Sequence, residues 1–133
     1  MSKRMTKGEF QESLGALNPV GHAVLAFEND AAAQGAKQAL LDAGFAGADI
    51  LEYDSGELFP NLNEMMRNAS SAAGFGYEIT LMRRYMTLAS ESAGWIVVYS
   101  PDEAQTKQVQ DIAKRFAARS AVHYGRLVSE ELV

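Results

Sequence analysis

The sequence predicts an α+β fold, a ferredoxin-like split β-α-β sheet in strand order 4-1-3-2 with a helical hairpin inserted between its two halves; a small doubly wound sheet is the alternative. Three observations predict it. Two apolar runs rich in β-branched and aromatic residues, "VGHAVLAF" from Val20 and "GWIVVY" from Gly94, each lead into an amphipathic helix, as the halves of such a sheet require. The stretch between the halves, residues 57 to 93, is too long for a hairpin connection and carries apolar residues at helical spacing. A chain of 133 residues, 47% hydrophobic and 22% charged, has globular composition and the size of one domain. That domain is expected over residues 20–133, with an N-terminal extension over residues 1–19.

The first strand is followed by "END", in which Asn29 or Asp30 supplies a helix N-cap. Ala32, Ala36, Ala39, Leu40 and Ala43 form the buried stripe of that helix, and Gly44 ends it. "ADILEY" then alternates Asp49, Leu51 and Tyr53 against Ile50 and Glu52, a half-exposed strand closed by the turn "DSG". In the insert, Pro60 opens a helix marked by Leu62, Met65, Met66, Ala69 and Ala73, and "GFG" at 74–76 breaks it. A second helix carries Leu81, Met82, Tyr85, Met86, Leu88 and Ala89, with Gly94 just past its end.

After "GWIVVY", Ser100 as N-cap, Pro101 at N1 and Glu103 at N3 read as a capping box, and Val109, Ile112, Ala113, Phe116 and Ala117 form the apolar stripe that follows. "AVHYGRLV", residues 121–128, supplies the final strand. In the 4-1-3-2 order this strand lies at a sheet edge, where Gly125 reads as a mid-strand bulge and Arg126 as a charge that blocks pairing with other chains. Tyr124 shares the parity of Val122 and Val128, so its ring is expected to pack inward with its hydroxyl near the rim, within reach of Glu78. A shift of 72 residues lays Leu25-Ala26-Phe27 on Val97-Val98-Tyr99 and Asp30 on Asp102, a weak internal repeat.

The stretch "AVLAFENDAAAQGAKQALLDAGF" with "ADILEY" resembles the opening domain of bacterial heat-inducible general stress proteins. From Gly76 onward, "GYEITLMRRYMTLASESAGWIVVYSPDE" and "YGRLVSEEL" are similar to a group of small bacterial proteins of uncharacterised activity. In that group a glutamate and an arginine on the middle helix and a near-terminal Tyr-Gly-Arg recur. The resemblance implies a ferredoxin-like fold and a bacterial source, and it implies no reaction.

Composition narrows the function classes. A net charge of −5 opposes non-specific attraction to nucleic acid or anionic lipid. The absence of cysteine excludes disulfides, thiolate metal sites and a cysteine nucleophile. The longest apolar run, Ala93 to Tyr99, is too short to span a bilayer, and "MSKRMTKGEF" is followed by no apolar signal core, so a cytoplasmic protein is expected. "GFGYEI" lacks the third glycine and the Lys-Ser/Thr pair of a phosphate loop, and no G-x-S-x-G is present. No catalytic residue, metal or cofactor is therefore assigned. His22 and His123, each read as opening its strand, would stand about 13 Å apart along antiparallel neighbours at about 3.3 Å per residue.

The candidate ligand or interface residues are Glu78, Arg83, Arg84 and Tyr85 on the insert and His123, Tyr124 and Arg126 in the last strand. Guanidinium forks can hold a carboxylate or phosphate, and the methionines Met65, Met66, Met82 and Met86 suit an adaptable surface. "WIVVY" is apolar on both faces, so both faces of the sheet must be covered. Two helices cover one; the insert, from the same or a second chain, covers the other, and a homodimer is expected. The reading is a non-catalytic binding or regulatory, stress-associated module that self-associates. The alternative is an enzyme with a small-molecule pocket between sheet and insert.

Overall fold

Six consecutive residues with almost no surface define the centre of the molecule. The strand His22–Phe27 (β1) is at most 1% exposed at every position, although its neighbours in sequence, Glu28 and Asn29, are exposed. The computed structural model describes residues 20–54, 77–125 and 129–133, with the side chains of residues 77–82 and 129 outside that description. In the described residues β1 belongs to a five-stranded antiparallel sheet with Ile50–Tyr53 (β2), Gly94–Tyr99 (β3), Ser120–Tyr124 (β4) and Ser129–Glu131 (β5), in the order β2-β3-β1-β4-β5. Three α-helices accompany it: Asp30–Asp42 (α1), Tyr77–Ser90 (α2) and Glu103–Arg115 (α3). The class is α+β.

Strand alternation divides the core in two. Ala23, Leu25, Phe27, Ile50, Ile96, Val98 and Ala121 face α1 and α3, where they meet Ala33, Ala36, Leu40, Val109 and Ile112. Val24, Ala26, Tyr53, Trp95, Val97, Val122 and Tyr124 face the other way and meet Tyr85, Leu88 and Ala89 of α2. The second apolar face is thus covered from the same chain. The first helix expected in the insert, with Leu62, Met65, Met66, Ala69 and Ala73, lies outside the described residues, as does the N-terminal extension.

Helix ends follow local chemistry, with three departures from expectation. Asn29 caps α1, its side chain accepting from the Ala32 N–H at 2.9 Å. For α3 the cap is Asp102, accepting from the Gln105 N–H at 2.8 Å, and Ser100 is instead buried in the strand-to-helix junction. The expected capping box at Ser100 is therefore absent, because an Asp two residues on offers a stronger acceptor to the same first turn. It also puts the two caps one position out of step with the 72-residue shift.

All three helices end in a left-handed residue: Gly44 (φ 106), Ser92 (φ 64) and Ala117 (φ 55). Each end also has the backbone bond of a Schellman turn, Phe45 N–H to Leu40, Ala93 N–H to Leu88 and Ala118 N–H to Ala113. Ala117 is accordingly exposed, and the stripe of α3 stops at Ala113, with Phe116 half-buried. Gly94 has a different task from the helix end expected of it. A Cβ there would lie 2.6 Å from the Asn29 carbonyl oxygen and 2.9 Å from the Ala33 Cβ, so only glycine lets β3 start against the first turn of α1.

The final strand also differs. "AVHYGRLV" is no single edge strand: β4 stops at Tyr124, and β5 pairs outside it with Tyr124 opposite Ser129. β4 is thereby an interior strand, and Gly125 belongs to the β4–β5 connection, where it is no mid-strand bulge. The reason lies in the last residues, since Leu132 is buried and its N–H bonds the Ala121 carbonyl at 2.8 Å. Arg126 lies outside the described residues.

Two substitutions test these assignments by urea denaturation. Gly94→Ala is expected to cost about 2 kcal/mol, since backbone or Ala33 must move to admit the methyl group. Ala117→Gly is expected to stabilise by about 1 kcal/mol, because it removes the left-handed penalty at an exposed helix end.

Candidate functional site

The register of β1 builds the most unusual surface in the sheet. His22 stands opposite Tyr99 of β3, and the register that sets Ala23 opposite His123 brings Tyr124 of β4 beside His22 on its other flank. Three polar-tipped aromatic residues therefore form one cross-strand row. By alternation this row lies on the α2 side, next to the row Val97, Val24 and Val122. His22 is 1% exposed, and its ring centroid lies 4.9 Å from that of Tyr99 at a tilt of 47°.

From above, α2 supplies Tyr85. Its hydroxyl hydrogen-bonds the Tyr124 hydroxyl at 2.9 Å in the buried interior, and its ring meets Trp95 edge-on at 5.5 Å and 86°. An edge-to-face pair of this kind adds about 1 kcal/mol beyond simple burial. Arg84, next in the helix, reaches over the sheet to ion-pair with Glu131 of β5, and Glu131 stands opposite Val122. The cluster thus joins α2 to β1, β3, β4 and β5.

Tautomers follow from the acceptors. A carbonyl oxygen only accepts, so the His22 nitrogen bonded to the Val20 carbonyl at 3.1 Å, Nδ1, carries the proton. By the same argument His123 is protonated at Nε2, which donates to the Ser100 carbonyl at 2.8 Å. The same carbonyl also accepts from the Thr106 hydroxyl at 3.2 Å, so His123 ties β4 to the β3–α3 junction.

The expected candidates separate accordingly. Tyr85 and Tyr124 come together, with Arg84 beside them. The hydroxyl of Tyr124 meets Tyr85 on the helix; the Glu78 side chain expected to meet it lies outside the described residues, as does Arg126. Arg83 is exposed on α2. His123 belongs to the opposite face, with Ala23 and Ala121. His22 and His123 are therefore not separated by four residues of strand, since β4 begins at Ser120 and His123 comes opposite Ala23. The sheet itself stands between their side chains.

His22, Tyr99 and Trp95 were missed as members of the cluster, although a signal was present. Antiparallel strands of matched length set the first residue of one opposite the last of the other, which for β1 and β3 is His22 opposite Tyr99; the end of β4 at Tyr124 carried no such signal. Among the described residues no group of three or more His, Asp or Glu is placed to hold a metal ion, and no helix is long and apolar enough to cross a membrane. Comparison of the chain with protein-family models, with curated proteins and with solved structures gives no match.

The hydroxyl pair is testable by a double-mutant cycle. Tyr85→Phe and Tyr124→Phe are each expected to cost about 1 kcal/mol in urea denaturation, with the double variant falling short of their sum by at least about 0.5 kcal/mol. Strict additivity would show that the two hydroxyls are energetically independent.

Proposed function

We propose that this protein is a non-catalytic binding module whose ligand site lies between the sheet and α2, around the His22, Tyr99 and Tyr124 row. One observation carries the reading: a hydroxyl pair, Tyr85 with Tyr124, and a histidine occupy the helix-covered face of the central strands, where valine continues the same columns. Burying such groups is tolerated only where each finds a hydrogen-bond partner, a demand that phenylalanine of nearly the same volume would not make of its surroundings. Polar groups kept at apolar positions are where function is expected to override stability. The side chains combine flat rings, which stack on planar apolar groups, with hydroxyl and imidazole tips that exchange hydrogen bonds.

Binding and catalysis make the same demand for access. His22, Tyr85 and Tyr124 are 1%, 2% and 6% exposed, so a ligand or a substrate reaches them only when the site opens. Binding is preferred because the row offers rings and hydrogen-bonding tips while the sequence places no catalytic motif beside them; the enzyme reading, with a pocket between sheet and insert, uses the same place.

The fold is proposed to be the ferredoxin-like split β-α-β plan. In support, β3 lies between β1 and β2, and β1 between β3 and β4, with every neighbouring pair antiparallel. A stress-associated role accords with the sequence resemblance, and a cytoplasmic location and self-association are proposed beside it. Because α2 of the same chain covers the second face, a homodimer would have to form through other surfaces.

The experiment is a thermal-shift screen of planar metabolites bearing hydrogen-bonding groups against the protein and Tyr124→Phe. The expected result is a compound that raises the midpoint of the wild type by several degrees and of the variant by less than half as much. A compound that stabilises both equally would move the site elsewhere. Light scattering at micromolar concentration tests self-association separately, and a monomer there removes it.

A further inference from the structure

We propose that α2 lifts from and returns to the sheet as one unit hinged at Ser92, with its closed position set by salt-sensitive ties to the C-terminal part of the chain. Three polar ties from α2 and its end converge on residues 119–131. Arg84 pairs with Glu131 of β5, the Tyr85 hydroxyl bonds that of Tyr124 of β4, and Glu91, just past the helix, pairs with Arg119 at 2.7 Å. Both ion pairs are surface pairs, with side chains 34% and 46% exposed in the first and 41% and 46% in the second. Dissolved salt therefore screens them.

The hinge is built from two neighbouring features. Gly94 is fixed, because its backbone lies against the Asn29 carbonyl and the Ala33 side chain of α1. Two residues earlier Ser92 holds φ 64, a left-handed conformation that a non-glycine residue leaves readily once the Schellman bonds around it open. Rotation at Ser92 moves α2 and leaves β3 in place. The floor beneath, Val24, Val97, Val122 and Trp95, belongs to strands held by their ladders and, on the opposite face, by α1 and α3.

Against opening stand the buried side chains Tyr85, Met86, Leu88 and Ala89, which make the closed state the populated one. Among the described residues the opposing layer is formed by two helices, α1 and α3, and this one by α2 alone, so α2 is the element that yields first. Opening would uncover Tyr124, at the end of the His22, Tyr99 and Tyr124 row, and give a ligand its route in. That consequence rests on the binding reading above; the motion does not.

Hydrogen exchange on the full, ligand-free chain separates the two. The amides of residues 83–90 are expected to exchange through an opening that leaves those of β1 and β3 protected, and to speed up roughly three- to ten-fold between about 20 mM and about 1 M sodium chloride. In the variant carrying Arg84→Gln and Arg119→Gln, exchange at low salt should already be fast, with the salt response gone. If protection of β1 and β3 were lost in that variant, Arg84→Gln alone should show a reduced salt response. Common exchange of α2 with β1 and β3 at both salt concentrations would overturn the hinge. A wild-type salt response in the variants would overturn the ion-pair control.

Discussion

The rest of the structure depends on a strand with no free side. β1 is paired along both edges, to β3 and β4, and its side chains are buried above and below the sheet. A backbone in that position has its ladder hydrogen bonds satisfied, and the remaining demand is for apolar surface on both faces. Two layers of helix are thus a requirement of β1. Gly94 serves the same requirement, because the first turn of α1 can lie across the start of β3 only where no side chain intervenes.

The two layers meet the demand differently. Against α1 and α3 the sheet presents Leu25, Phe27, Ile96 and Val98, and small residues of α1 allow a close approach, with Gly35 near the Phe116 ring. Against α2 it presents valines at its centre and aromatic residues with polar tips toward one end. An apolar layer is held by area and tolerates small shifts in register between its faces. A layer held partly by hydroxyl and guanidinium groups is directional, so it has one closed arrangement and loses much of its hold when that arrangement is disturbed. The candidate site lies on the directional side.

Much of this was legible in the residues. Alternation and helical spacing gave β1, β2, β3, the three described helices and the need to cover both faces, because burial on a period of two or 3.6 leaves its mark in any short window. Glycine at the end of α1 was readable, whereas Ser92 and Ala117 were not, since no residue-level preference marks them for a left-handed turn. Asp102 displaced Ser100 as cap because several acceptors compete for one helix start, and spacing alone does not rank them. The pairing of β4 with β5 was hidden because "AVHYGRLV" reads as one run, although β4 ends at Tyr124 and Ser129 already lies opposite it. In the candidate site, Tyr124 could be named from strand parity and Tyr85 from helical spacing. Their meeting, and the part played by His22 and Tyr99, is set by pairing between segments far apart in the chain.

That distance has a bearing on how the molecule is made. Val24 pairs with Val97 and Val122, while β2, the strand that follows β1 in sequence, never touches it in the ladder. On a ribosome β1 emerges well before either partner, so this deeply buried strand waits with one edge unpaired until β3 has followed and with the other until β4 has. Until then it is a sticky segment looking for a strand. That exposure ends one edge at a time, first as β3 and then as β4 takes its place in the ladder.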